Sequence, residues 1–410
     1  MDSSAWLSVH QSPALVITTT AVATATLLLL AQWTLLPRWP RVMLNPLKTT
    51  ASRKAGQKKG LATGDAKGDD DDDDAEGGEF KNLVYHPEAL PGGRNVDTPY
   101  GTIRVYEFGP EDGDKVLMVH GISTPCLTLY GLATRLAERG SRVMLFDLFG
   151  RGFSDGVGDL PHDARLYVSQ MLLALASSPL SWTGTNSVSL VGYSLGGAIA
   201  IHFAVSFPHM VSSLVLLAPA GLIRSESFGL PSRILFRSCL VPERILAHLA
   251  RVRLQKPIAG SVKPKRVAAS IASPEPVEVA EAVHLTRADD ADDVPLPLEK
   301  RVMSYVRWMV ANHEGFIPAF MSSIKHAPMI DQHDSWRLLA RRDPGSTLIL
   351  LAEDDEIIDL DIYRRDAVAL AGGPDRVDLR VMPGTHDFVM THTDKLFEEM
   401  DQWWAAGRKS

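Results

Sequence analysis

Cysteine is almost missing from this chain: Cys126 and Cys239 are the two in 410 residues. That excludes a disulfide framework and fits a reducing compartment. No Asn-x-Ser/Thr acceptor occurs anywhere, in keeping with a cytosolic globular part. A surplus of positive charge is missing too. Lys and Arg total 42 against 49 Asp and Glu, a formal net charge of −7, so no basic surface for nucleic acid is expected. Internal repeats are absent. What remains is ordinary for a chain that buries a large core, with 45% hydrophobic and 22% charged residues.

Charge is absent from one long run, Ala14 to Leu36. Such a stretch is long enough to cross the roughly 30 Å hydrocarbon core as a helix. Trp6, Trp33 and Trp39 would sit at the interfaces as aromatic anchors. A cleaved signal peptide fits less well, because the preceding residues carry no Lys or Arg and no small-x-small site follows. Arg38, Arg41, Lys48, Arg53, Lys54, Lys58 and Lys59 follow the run. The expectation is a single-pass membrane protein with its N-terminus lumenal or outside and the rest cytosolic. From about Asn45 to Gly78 hydrophobic periodicity vanishes, which reads as a disordered tether. Its Asp69–Asp74 run does not make a calcium loop: the register with Gly77 at the turn puts Leu83 where the bidentate Glu belongs.

After Phe80, strand and helix patterns alternate. Short apolar runs at Val116–Val119, Arg142–Phe146, Ser187–Tyr193, Ser213–Leu217, Thr347–Leu351 and Val377–Val381 read as strands buried on both faces of a mostly parallel sheet. Thr102–Phe108 reads as a further strand. Helices are expected at Leu127–Glu138, Arg165–Leu175, Leu195–Phe207, Asp361–Leu370 and Asp394–Trp404. From Leu222 to Arg342 the alternation stops. Val302, Tyr305, Val306 and Met309 share one helical face, and Arg287–Asp293 reads as a polar loop. The segment reads as a helical cap. The expected organisation is an N-terminal flank (1–13), a transmembrane helix (14–36), a linker (37–80), a first core part (81–221), the cap (222–342) and a second core part (343–410).

The strongest local motif is Gly192-Tyr193-Ser194-Leu195-Gly196, between a buried strand and a helix. A serine hydroxyl is a poor nucleophile unless held exposed beside a base, and a sharp strand-to-helix turn with small neighbours achieves this. The Leu195 N–H lies at a helix N-terminus, where the dipole favours a developing oxyanion. A second strand ends in His120-Gly121-Ile122, and the Ile122 N–H is the candidate second oxyanion donor. His120 itself is read as supporting rather than catalytic. Asp147 to Ser154 reads as a structural loop. An acid is expected within Glu353–Glu356, and a base at His386 in the loop after the last strand.

In this order the motifs resemble the α/β-hydrolase superfamily, over roughly Tyr100 to Ala406. The resemblance implies an eight-stranded, mostly parallel sheet flanked by helices, with the cap inserted after its sixth strand. It implies a Ser194–His386–Asp355 triad, with Asp355 taken from the family's acid loop although Ala352 replaces the usual Gly and keeps Asp354 in play. No metal or organic cofactor is implied. The chain is similar to capped monoacylglycerol lipase-like enzymes, which points to a carboxylic ester of lipid or acylglycerol type. Two alternatives stand beside it: a C–C bond hydrolase of ring-cleavage diketones, and a binding protein with an idle site.

Overall fold

Runs of Val, Ile and Leu too short for helices, bounded by glycine or polar turns, build the sheet. The structure, a computed structural model, describes residues 13–35, 39–52, 80, 83–183, 187–224, 243–254 and 296–407. Its strands are β1 (Val42–Met43), β2 (Gly93–Thr98), β3 (Gly101–Phe108), β4 (Lys115–Val119), β5 (Arg142–Phe146), β6 (Gly156–Val157), β7 (Val188–Tyr193), β8 (Val211–Leu217), β9 (Thr347–Ala352) and β10 (Val377–Met382). Eight of them form one sheet in the order β10-β9-β8-β7-β4-β5-β3-β2. The pairs from β5 to β10 are parallel, and β2–β3 and β3–β5 are antiparallel. All six residues of β9 are buried, as a strand covered by helices on both faces requires.

The principal helices are α1 (Pro13–Leu35), α2 (Tyr130–Glu138), α3 (Ala164–Ala176), α4 (Leu195–Ser206), α5 (Glu243–Leu254), α6 (Leu298–Asn312), α7 (Phe316–His326), α8 (His333–Leu338) and α9 (Thr393–Gly407). Asp163 caps α3, its carboxylate accepting the Arg165 and Leu166 N–H groups that have no intrahelical partner. Helices α5 to α8 fall between β8, the sixth strand of the large sheet, and β9. Val302, Tyr305, Val306 and Met309 of α6 are buried together. The expected helix at Asp361–Leu370 is interrupted by a π-turn at Tyr363–Ala367. There Tyr363 turns inward, and its hydroxyl donates to the Pro219 carbonyl (2.5 Å) and accepts from Leu222 N–H (3.2 Å).

Two expectations change. Residues 39–52 are not part of a free linker. β1 pairs antiparallel with β6, and the Asn45 N–H and side-chain amide both donate to Asp155 Oδ1 at 2.8 Å. Lys48 Nζ and Thr102 N–H take the other carboxylate oxygen, at 2.9 and 2.8 Å. A wholly buried carboxylate needs such partners, and the strap at 39–52 supplies most of them. The membrane-spanning expectation does not carry over either: α1 forms over the uncharged run, yet among the described residues no helix is long and apolar enough to cross a membrane. Residues 1–12, Asp69–Asp74, Arg287–Asp293 and Cys239 lie outside the described residues.

Candidate active site

The turn after β7 places Ser194 at φ 55°, in the left-handed region that non-glycine residues avoid. Such a conformation costs about 1–3 kcal/mol and persists only where its surroundings impose it. Here the Ser194 N–H donates to the Leu217 carbonyl (2.9 Å), and its own carbonyl accepts from Gly197 (3.0 Å) and Ala220 (2.9 Å). The flanking glycines are steric necessities. A Cβ on Gly192 would lie 2.4 Å from the Gly196 carbonyl oxygen, and one on Gly196 would lie 2.1 Å from that of Val119. The strained turn pushes the Ser194 side chain out of the sheet edge while α4 starts at Leu195. Like any helix start, α4 leaves its first N–H groups without an intrahelical acceptor.

His386 comes to this serine from 192 residues along the chain, with Nε2 at 3.1 Å from Ser194 Oγ. Its Nδ1 lies 2.8 Å from Asp355 Oδ2. The Asp355 carboxylate faces the ring nitrogen and fixes the tautomer: Nδ1–H donates to it, and Nε2 accepts the serine hydroxyl. The other Asp355 oxygen accepts from Ile357 N–H (2.8 Å) and Ile358 N–H (2.7 Å), so the acid cannot swing away without losing three bonds. Its side chain is 1% exposed, that of His386 10%. Asp354 plays a different part: its N–H donates to the Gly384 carbonyl at 3.0 Å, joining the acid and base loops.

Tyr193, which sequence reasoning passed over, and Glu356, one of the candidate acids, hold the base from behind. Tyr193 donates its hydroxyl to the His386 carbonyl (2.9 Å), and its ring lies 5.3 Å from the imidazole at an interplanar angle of 33°. Burial, then the negative charges of Asp355, Asp387 and Glu356, push the Tyr193 phenol well above its usual range, so it remains a donor. Glu356 accepts the His386 N–H at 3.1 Å. The sequence signals were thin: Tyr193 fills an unspecified motif position, and Glu356 is one of several neighbouring acids.

His120 is wholly buried, and among the described residues its ring nitrogens make no hydrogen bond to Ser194 Oγ. Its Nδ1 lies 2.9 Å from the Gly121 carbonyl, and its Nε2 accepts the Leu148 N–H at 2.8 Å. Burial, then the nearby Arg151, lower its pKa to about 3, so the ring stays neutral. The Gly121 carbonyl belongs to the same peptide plane as the Ile122 N–H. In a trans peptide the two point opposite ways, so the imidazole aims that N–H. Gly121 lies against the nucleophile: a Cβ there would be 3.4 Å from Ser194 Cβ. The structure thus brings Ser194, His386 and Asp355 into one chain of hydrogen bonds, packs Gly121 against the serine, and leaves His120 buried and bonded to backbone groups. The described residues also form a cavity of about 430 Å³ lined by Ser187, Ser189, Ser213 and Trp404, but it lies at the N-terminal ends of the strands. In open α/β sheets ligands gather at the other end.

The family model described as serine aminopeptidase, S33 matches residues 111–282. Lipase LipV of Mycobacterium tuberculosis is 34% identical over 118 residues, 29% of this chain and 42% of that protein. The 2-hydroxy-6-oxo-2,4-heptadienoate hydrolase of Pseudomonas putida is 36% identical over 121 residues, 29% of this chain and 42% of the enzyme. This chain spans less than half the length of the curated relatives it matches. Among solved structures, the 2-hydroxy-6-oxo-6-phenylhexa-2,4-dienoate hydrolase of a Rhodococcus species superposes with a TM-score of 0.52 at 16% identity, covering 76% of this chain and 98% of its own, a likeness of fold alone. With this strand order and a serine held on the sharp turn after β7, the chain has an α/β-hydrolase fold and is similar over part of its length to hydrolases of that superfamily.

Proposed function

We propose that the protein is a serine hydrolase that cleaves a carboxylic ester through an acyl-enzyme. The observation that carries the reading is the relay from Asp355 Oδ2 through both nitrogens of His386 to Ser194 Oγ, at 2.8 and 3.1 Å. Ser194 Oγ attacks the ester carbonyl while His386 Nε2 takes its proton, and Asp355 stabilises the imidazolium that forms. The N–H groups of Ile122 and Leu195 receive the oxyanion. His386 then protonates the leaving alcohol, and water attacks the acyl-serine by the same route in reverse. Each converging oxyanion donor is worth ~10²–10³ in rate.

The substrate class proposed is an amphipathic or acylglycerol-like ester. Val16, Ile17, Val22, Leu27, Leu28 and Leu29 of α1 all stand exposed, a surface suited to acyl chains. The proposed location is the cytosolic face of a lipid surface, with α1 lying on that surface and the basic residues that follow it facing its headgroups. Protease digestion of sealed microsomes checks the placement, and full protection of the domain would rule it out. A second reading draws on the dienoate hydrolases among the relatives: cleavage of a C–C bond in a vinylogous diketone. Profiling on short, long and glyceride esters beside such a diketone separates the two. Turnover of the diketone with none of any ester would overturn the ester assignment. Fluorophosphonate labelling of wild type but not of Ser194→Ala is expected from either enzyme, whereas a binding protein with an idle site would label in neither form.

A further inference from the structure

Arg151 is fully buried, and among the described residues no carboxylate lies within ion-pair distance of it. An unpaired buried cation is expensive to retain, so its contacts are informative. Its Nε donates to the Ile122 carbonyl at 2.9 Å. One terminal nitrogen donates to the Phe149 carbonyl (2.8 Å) and the Tyr167 hydroxyl (3.1 Å), and the other to Ser323 Oγ on α7 (2.8 Å). Tyr167 and Ser323 are themselves 2.7 Å apart. The guanidinium therefore joins the end of β4, the loop after β5, helix α3 and cap helix α7 through acceptors that are all neutral.

The contact with Ile122 matters most. His120 holds the peptide on the N-terminal side of that residue through the Gly121 carbonyl, and Arg151 holds the peptide on its C-terminal side through the Ile122 carbonyl. With both flanking planes fixed, the direction of the Ile122 N–H is fixed as well. The cap meets the same loop by steric contact: a Cβ on Gly150 would lie 2.4 Å from Ala319 Cβ of α7. We propose that Arg151 is a positioning residue that locks the Ile122 peptide to helix α7, so that the oxyanion site is set in register with the seated cap. This rests on the serine-hydrolase reading, in which Ile122 N–H is an oxyanion donor.

The test uses the full chain, p-nitrophenyl acetate as substrate and a trifluoromethyl ketone as inhibitor, whose serine adduct carries an oxyanion. Arg151→Met is expected to lower kcat by ~10- to 100-fold with KM within about 3-fold, and to weaken the inhibitor by a similar factor. Ser323→Ala combined with Tyr167→Phe cuts the link on the cap side and is expected to give parallel losses of about 3- to 10-fold. A purely structural role would lower the melting temperature and leave kcat and inhibitor affinity within about 2-fold of wild type, and that result overturns the proposal. If Arg151→Met does not fold, the Ser323→Ala/Tyr167→Phe variant decides by the same criterion. Wild type that neither turns over esters nor labels with a fluorophosphonate would sink the serine-hydrolase reading instead, before any variant is compared.

Discussion

Two sets of histidine, aspartate and serine lie in this one sheet, and only one of them is left open. His120, Asp147 and Ser154 follow β4 and β5; Ser194, Asp355 and His386 follow β7, β9 and β10. Ser154 is wholly buried, its hydroxyl donating to the Asp147 carbonyl (2.6 Å) and accepting from Arg104 N–H (3.0 Å). Asp147 accepts from Cys126 N–H, Phe153 N–H and the Tyr85 hydroxyl, and backbone groups occupy both nitrogens of His120. In the second set the hydrogen bonds run in a line and end at a partly exposed serine hydroxyl. Saturated polar groups hold a fold together. A polar group with an unfilled position facing outward can react.

The sharpest way to break this contrast is to remove the two hydroxyls in turn. Ser194→Ala is expected to lower ester turnover by on the order of 10⁴-fold or more with little change in melting temperature. Ser154→Ala should keep kcat within about 3-fold but lose about 1–3 kcal/mol of stability, because the buried Arg104 N–H loses its partner and the Asp147 carbonyl keeps only the Gln170 amide. Steady-state kinetics and urea unfolding read both outcomes, and exchanged results would dissolve the distinction. The acids form the second pair. Asp355→Asn should cost ~10³-fold or more in kcat by upsetting the tautomer of His386. Asp147→Asn should act on stability instead, by about 1–3 kcal/mol, since its amide would face the Cys126 or Phe153 N–H.

Acid sharpens the contrast from the side of the buried set. Burial, then Arg151, lowers His120 to about 3, and burial lowers His313 to about 4, against an ordinary value of 6.5. Between those limits the unfolded chain binds protons that the native protein refuses. The stability is therefore complete above pH 6.5 and falls as the pH drops below it, by up to about 1.4 kcal/mol per pH unit for each histidine. Urea midpoints at pH 7 and pH 5 check the slope, and a flat profile would contradict neutral burial. The smallest effect belongs to the group behind the base. Tyr193→Phe removes the bond to the His386 carbonyl and should lower kcat by about 3- to 10-fold with KM unchanged; unaltered kcat would mean that the hydroxyl only packs.

Much of this was legible in the chain because it is local. The strand-to-helix turn at Ser194, the strand ending in His120-Gly121 and the loops carrying Asp355 and His386 each announce themselves within a few residues. What stayed hidden depends on distant partners. β2, with the sequence GRNVDT and alternating exposure, has no apolar run to reveal it and exists because it pairs with β3. The strap at 39–52 looks like linker because its anchors are Asn45 and Lys48, polar residues whose acceptor, Asp155, lies 110 and 107 positions away. Arg151 could be read only as part of a glycine-rich loop, since three of its acceptors come from other elements.

The docked strap has a practical corollary for anyone preparing the protein. A recombinant fragment cut near Phe80, where globular patterning starts, would discard β1 and Asn45 and leave the sealed carboxylate of Asp155 short of donors beside the loop that carries Arg151. The same start moved upstream to Trp39 keeps those donors while omitting α1. Of the two, the longer fragment is the one expected to fold stably.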